Sequence, residues 1–262
     1  MSWHTFIQSA RPGEHAVQVV ADADELARAV AGYLDPGLRA GAPGVVIATE
    51  DHRPLIAREL ERRGWKPPAL ERRRLLSHHD AEETLDAFMR EGSPDPEAFT
   101  RVVGGLLDEA AALFPGQTLR AFGEMADVLW SRGDEDAAVA VEELWDELAR
   151  NRSFALLCGY HFDIFDLDIQ RRALPELVRT HSHARPASDP AWLAEAVDRA
   201  LREVAGPSGA ARAYLDAAER MPTTSVPRAQ AVLSRLSSTN EPLARQVLER
   251  ARAHYAARAA AA

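Results

Sequence analysis

The stretch that decides the fold is Ala16-Val17-Gln18-Val19-Val20-Ala21-Asp22-Ala23-Asp24-Glu25-Leu26. A short run of strand character meets an acidic corner, and a helical pattern follows at once, with Leu26, Val30, Tyr33, Leu34 and Leu38 on one side. This is the strand-to-helix step of a nucleotide-binding α/β domain, but the corner holds no phosphate loop. A polyphosphate cradle needs glycines, so that backbone N–H groups can approach the anion, and usually a lysine. Asp22, Asp24 and Glu25 stand there instead, and their charges repel a triphosphate. The corner therefore predicts a core shaped like an ATPase that has stopped handling ATP and senses or docks something else.

The alternation continues along the chain. Residues 45–49 form a β-branched run of the kind buried on both faces of a sheet. Residues 54–63 read as a helix, 65–74 as a proline-bearing basic loop, and 75–77 as a short strand leading to His78-His79-Asp80 and a helix over 81–90. Asp95 is placed to cap a helix whose first position is Pro96 and which runs to about Phe114. Residues 119–122 are a strand, helical residues reach Trp130, 135–151 is a helix, and 154–160 is an apolar strand. Residues 169–180 read as a helix that Pro175 either kinks or starts anew. The fold class is α/β, with a mostly parallel central sheet flanked by helices. Residues 1–14 are expected to be an irregular lead-in and 15–186 the α/β domain. Residues 187–262 turn Ala- and Arg-rich, with no strand-like run and with turns at Gly206-Pro207 and 221–227. They predict a small all-helical C-terminal region whose last Ala-rich stretch frays.

A chain of 262 residues accommodates such a domain and its appendage. An apolar fraction of 46% and a charged fraction of 27% exclude wholesale disorder. A net charge of −9 argues against a general nucleic-acid binder. Cys158 is the single cysteine, so no internal disulfide can form, which suits a reducing compartment. The N-terminal Met1-Ser2-Trp3-His4 lacks a secretion pattern, and no apolar run is long enough for a bilayer. The expected location is the cytoplasm, with neither nucleic acid nor membrane as partner.

Ligands of an open parallel sheet bind beyond the C-terminal ends of its strands. Those ends carry Asp22 and Asp24; Glu50, Asp51 and His52; His78, His79 and Asp80; Glu124; and Tyr160 and His161. Asp22, Asp24 and Asp80 also fit as helix caps. Glu124, directly after a strand and a glycine, either polarises water or a ligand, pairs with Arg120 or Arg132, or caps a helix. Phe122, Trp145 and Tyr160 could line an apolar pocket with a few polar groups. His78 and His79, adjacent on a strand, point to opposite faces. No helical His pair and no Cys-x-x-Cys occurs, so no metal and no cofactor is expected. Cys158 lies in an apolar run and reads as an inert core thiol. No catalytic motif stands out.

At these residues the chain resembles a known family. His15 before the first strand, Leu34-Asp35-Pro36-Gly37-Leu38-Arg39-Ala40-Gly41 and residues 45–49 look like the start of the MEDS domain. Asp80-Ala81-Glu82-Glu83-Thr84-Leu85, Phe88-Met89 and Pro94-Asp95-Pro96 continue the likeness, followed by residues 120–125, Trp130, Gly133-Asp134, 142–145 and 154–160, with His181-Ser182-His183 closing it. MEDS is a bacterial and archaeal sensory domain, named for methanogens, methylotrophs and a dichloromethane-response regulator. The resemblance covers about residues 13–185. It implies a degenerate RecA/KaiC-like fold without the phosphate loop, and sensing of small, hydrocarbon-like molecules. It places His15, Glu124, Tyr160 and His181 at a binding or switching site. Family members often precede kinase or DNA-binding output domains, whereas this chain carries neither signature.

The resulting expectation is a non-enzymatic signalling protein that binds a small molecule or a regulatory partner, such as a kinase or sigma-factor regulator, at the strand-end cleft and reports through its helical tail. The candidate ligand-binding residues are His15, Asp22, Phe122, Glu124, Trp145, Tyr160, His161 and His181. A nucleotide or phosphoester hydrolase and a ligand-free scaffold are the alternatives. A tail seam of Leu233, Leu236, Leu243 and Leu248 would serve a homodimer.

Overall fold

The structure, a computed structural model, describes residues 3–187, 189–220 and 227–259. Of the turn expected at 221–227, residues 221–226 lie outside the described residues, as does the end of the fraying tail. The chain divides into two compact units, Met1–His161 and Phe162–Ala262.

In the first unit the chain runs through α1 (Trp3–Ser9), β1 (His15–Val20), α2 (Ala23–Arg39), β2 (Gly44–Ala48), α3 (His52–Arg62), α4 (Pro67–Arg72), β3 (Leu76–Asp80) and α5 (Ala81–Phe88). A small antiparallel hairpin, β4 (Met89–Arg90) and β5 (Ser93–Pro94), leads to α6 (Pro96–Leu113), β6 (Leu119–Gly123), α7 (Met125–Ser131), α8 (Glu135–Asn151) and β7 (Phe154–His161). The sheet order is β3-β2-β6-β7-β1, and every neighbouring pair is parallel. Parallel strands need crossovers, and covering both faces explains why β1, β2 and β6 are buried throughout.

The register assigns the faces. Ala16, Val20, Val46, Ala48, Phe122, Ala155 and Leu157 share one core with Leu26, Val30 and Leu34 of α2 and with Ile56 and Leu60 of α3. On the other face Gly123 lets Trp145 of α8 come close, since a Cβ there would sit 3.3 Å from its ring. Trp145 meets Phe99 of α6 edge-on at 5.5 Å, and Phe99 meets Phe88 of α5 at 5.0 Å. The chain therefore leaves β2 over one face and β6 over the other. The crevice beyond the C-terminal ends of these two adjacent strands is the topological switch point, where open α/β sheets place ligands.

Three expectations need correction. Residues 1–14 are not wholly irregular: α1 forms because Phe6 is buried and stacks on Tyr33 at 5.3 Å. Residues 65–74 contain α4, whose two prolines occupy the first helical turn, where the missing N–H costs nothing. His78 and His79 lie inside β3, at the edge of this sheet, rather than after it. Asp95 does cap α6, accepting from Ala98 N at 2.7 Å.

The second unit holds a π-helical turn (Ile169–Ala173) continuing into α9 (Leu174–Thr180), then β8 (His183–Arg185), α10 (Pro190–Arg220), α11 (Arg228–Thr239) and α12 (Glu241–Ala259). α10 breaks at Gly206, where φ is 72° ahead of Pro207. Gln230 Nε2 and Ser234 Oγ both donate to Gln170 Oε1, at 2.6 and 3.0 Å, a polar pin within this unit. Leu233, Leu236 and Leu248 are buried and Leu243 is half-buried, so they present no free seam.

One buried cation ties α1 to the first unit. Arg120 of β6 donates to Ile7 O at 2.7 Å, to Gln8 O at 3.2 Å and to Tyr33 O. The first two are carbonyls of the last turn of α1, which lack partners within the helix and sit at its negative end. Gly37 makes room, because a Cβ there would lie 2.6 Å from Arg120 Cδ. Arg120→Met should lower the unfolding free energy by about 3 kcal/mol, since buried carbonyls lose their donor. Urea denaturation of the full chain measures it, and a loss under about 1 kcal/mol would show that water replaces the guanidinium.

Candidate functional site

Only Ala21 and Asp22 separate β1 from α2. Asp22 Oδ1 accepts from Glu25 N at 2.7 Å, and Glu25 Oε2 accepts from Ala21 N at 3.0 Å. The corner consumes its own donors in a reciprocal cap. A phosphate would have to displace two carboxylates.

The switch-point crevice is built differently. Glu124, at the exit of β6, is 2% exposed. Its Oε1 accepts from Thr49 N at the exit of β2, and its Oε2 lies 2.8 Å from His52 Nδ1. The carboxylate thus clamps the ends of two neighbouring strands. The His52 ring stacks on the His161 ring with centroids 5.0 Å apart. Asp127 of α7 accepts from His161 N through Oδ1 and from His161 Nδ1 through Oδ2, both at 3.0 Å. With its proton on Nδ1, His161 leaves Nε2 as an acceptor, and that buried atom has no hydrogen-bond partner among the described residues. Arg53 pairs with Asp80 at 3.1 Å, while Asp80 also caps α5. A cleft of about 750 Å³ opens here, lined by Thr49, Glu50, Asp51, His52, Arg53, Asp80, Glu82, Glu83, Asp86, Asp127 and Arg132 among others. Carboxylates outnumber cations, so the cleft favours polar or cationic groups over anions.

A second polar cluster lies within the sheet, on the α8 face. His15 Nδ1 is 2.9 Å from Asp146 Oδ1, and its Nε2 faces Cys158 Sγ and Glu142 Oε2. The Tyr160 hydroxyl donates to Glu142 Oε1 at 2.5 Å. Burial disfavours the His15 imidazolium, but hydrogen bonds to Asp146 and Glu142 outweigh it and push its pKa up to about 9. Burial and the neighbouring Glu142 push the Cys158 thiol and the Tyr160 phenol well up, so both keep their protons at neutral pH.

The candidates of the first unit therefore separate. Glu124 and His161 lie behind the cleft, each bonded to a residue that lines it, Glu124 to His52 and His161 to Asp127. His15 and Tyr160 belong to the inner cluster, with Trp145 packed on the same face. Phe122 faces the opposite core and cannot share a pocket with Trp145 or Tyr160. Asp22 is a cap. His181 lies in the second unit, buried after α9, with Nδ1 2.7 Å from Leu177 O. Sequence reasoning named His52 only among the strand-end groups and Glu142 only within the family resemblance, and it did not single out Asp127 or Asp146. Glu142 and Asp146 left a trace, two carboxylates spaced i, i+4 on either side of Trp145.

The clamp has a pH signature. The hydrogen bond to Glu124 raises the pKa of His52 above its ordinary value, against a smaller opposing effect of burial. Stability drawn from protonated His52 is complete below about pH 6.5. It is lost as pH rises through the higher folded value. The stability gap between the unmodified protein and Glu124→Gln should be widest below about pH 6.5 and narrow toward alkaline pH. Urea midpoints across the pH range measure it, and a constant gap would refute the pairing.

Among curated proteins, none matches the chain. The model of the family described as "MEDS: MEthanogen/methylotroph, DcmR Sensory domain" matches residues 14–182, more than half of the sequence. This span takes in the whole sheet of the first unit, with its acidic first corner and its strand-end clamp. The chain belongs to the MEDS family of sensory domains.

Proposed function

We propose that this chain is a non-enzymatic signalling protein whose first unit binds a small polar molecule at the switch-point cleft and whose helical second unit carries the response. The observation that carries this reading is the His161 Nε2 acceptor, buried and without a partner among the described residues, stacked against a histidine clamped by Glu124. A buried polar atom left unpaired costs stability. A ligand donor would repay that cost at the place where sheets of this topology bind ligands. The acidic rim selects a ligand with amine, amide or hydroxyl donors rather than a phosphate.

The hydrolase alternative draws little support. Glu124 is held by Thr49 N and His52, and Asp22 caps its own helix. Neither carboxylate is free to activate water. The scaffold alternative loses its leucine seam to burial.

Sensing requires that the ligand bind two conformations unequally. A screen of amines, amides, alcohols and short polar metabolites against the full chain, read by thermal shift, should give binders that Glu124→Gln and His161→Ala weaken about tenfold or more, the equivalent of about 1.4 kcal/mol. Amide hydrogen exchange in α10–α12 should change on binding, and magnesium-ATP should give no shift. Binders indifferent to both substitutions, or exchange in the tail unchanged by every binder, would refute the proposal.

A further inference from the structure

Three donor atoms of different chemistry converge inside the first unit, away from the cleft. His15 Nε2 lies 3.2 Å from Cys158 Sγ and 3.3 Å from Glu142 Oε2, and Cys158 Sγ lies 3.6 Å from the same oxygen. A tetrahedral zinc-type ion, with bonds of about 2.0–2.3 Å, has ligand-to-ligand edges of about 3.3–3.6 Å. The triangle has the dimensions of one face of such a shell. All three residues are buried, at 2% exposure each.

The surrounding groups point the same way. Asp146 holds His15 through Nδ1 at 2.9 Å, which aims Nε2 at the other two donors. This is the carboxylate–histidine arrangement found behind metal-bound imidazoles. The Tyr160 hydroxyl takes Glu142 Oε1, which leaves Oε2 turned toward the thiol and the imidazole. Donor and orienting group thus occur in pairs, for the nitrogen and for the oxygen.

We propose that His15, Cys158 and Glu142 bind one borderline-soft divalent transition-metal ion of the zinc class, with Asp146 and Tyr160 as positioning residues. A mixed nitrogen, sulfur and oxygen set suits zinc or cobalt and disfavours magnesium and calcium, which take oxygen ligands. On binding, the Cys158 thiol and His15 Nε2 release their protons to solvent and form bonds to the ion. Glu142 Oε2 supplies the third bond. Thiolate and carboxylate balance the two positive charges, and Asp146 remains paired with the Nδ1 proton. No electron is transferred. Three protein donors leave a fourth position for water or another donor. The inference is independent of the cleft reading, because none of these five residues lines the cleft.

The test uses the full chain, stripped with chelator and reloaded with zinc or cobalt. Cobalt-loaded protein should show a thiolate-to-cobalt charge-transfer band and intense tetrahedral d–d bands in proportion to metal retained, one ion per chain. X-ray absorption of zinc-loaded unmodified protein, which needs no variant, should read one sulfur at about 2.3 Å among nitrogen and oxygen. Cys158→Ser should abolish the charge-transfer band, and Asp146→Asn should weaken affinity about 10- to 100-fold with the circular dichroism spectrum unchanged. No retained metal, a shell without sulfur, or a charge-transfer band that survives Cys158→Ser would overturn the proposal and leave a plain hydrogen-bonded cluster.

Discussion

A parallel sheet covered on both faces offers no water to the ionisable side chains it carries, and most of this architecture answers that constraint. His15, Arg120, Glu124 and Glu142 are all 5% exposed or less. Leaving such a charge without a partner costs several kcal/mol in principle, so each must be answered within the fold. Arg120 is answered by backbone carbonyls, Glu124 by a backbone N–H and His52, and Glu142 by Tyr160 and His15. These partnerships fix where α1 docks, how β2 and β6 end, and which face of α8 meets the sheet.

The same accounting explains why the first corner and the crevice between β2 and β6 differ. In a phosphate-binding α/β domain, the first strand-to-helix corner keeps its N–H groups open for the anion. Here Asp22 and Glu25 take two of them, across a connection of two residues. The next place where the topology opens a crevice is between β2 and β6, whose outgoing helices lie on opposite faces. Thr49, His52 and Glu124 reach that crevice from these two strands, and His161 and Asp127 enter from β7 and α7. The first corner is thus closed to an anion by its own carboxylates, while the crevice between β2 and β6 opens beside a histidine pair.

The fold was largely legible because its signals are local. β1, β2, β6 and β7 are short apolar runs, and α2 and α8 carry apolar stripes at helical spacing. Asp95-Pro96 marked its helix correctly because cap and first-turn proline are adjacent in sequence. The misses depend on distant contacts. α1 exists because Phe6 finds Tyr33 and because Arg120 reaches back from β6. The site was legible only in part for the same reason. Glu124 stood out at a strand exit, but its partner His52 is 72 residues away, and His161 is 34 from Asp127. His15 and Cys158, 143 residues apart, share no spacing that a motif could encode. Only the pairing of β1 with β7 puts them on one face.

β7 joins the two polar clusters and sorts their roles. Cys158 and Tyr160 turn toward α8, while the next residue, His161, ends the strand at the cleft. The inner cluster is buried, with its carboxylates, imidazole and phenol held by one another. A buried hydrogen-bonded network of this kind holds its members firmly in one arrangement. The cleft end is different: His52 and His161 are partly exposed, and their stacked rings rest on carboxylates that remain in place if the rings rotate. A sensory domain needs both properties, because a ligand shifts a population only where two arrangements differ little in energy, and the shift is useful only if the rest of the sheet stays rigid. On the proposed sensing role, the strand that carries Cys158 and Tyr160 into the inner network would be the support against which a change at His161 is read.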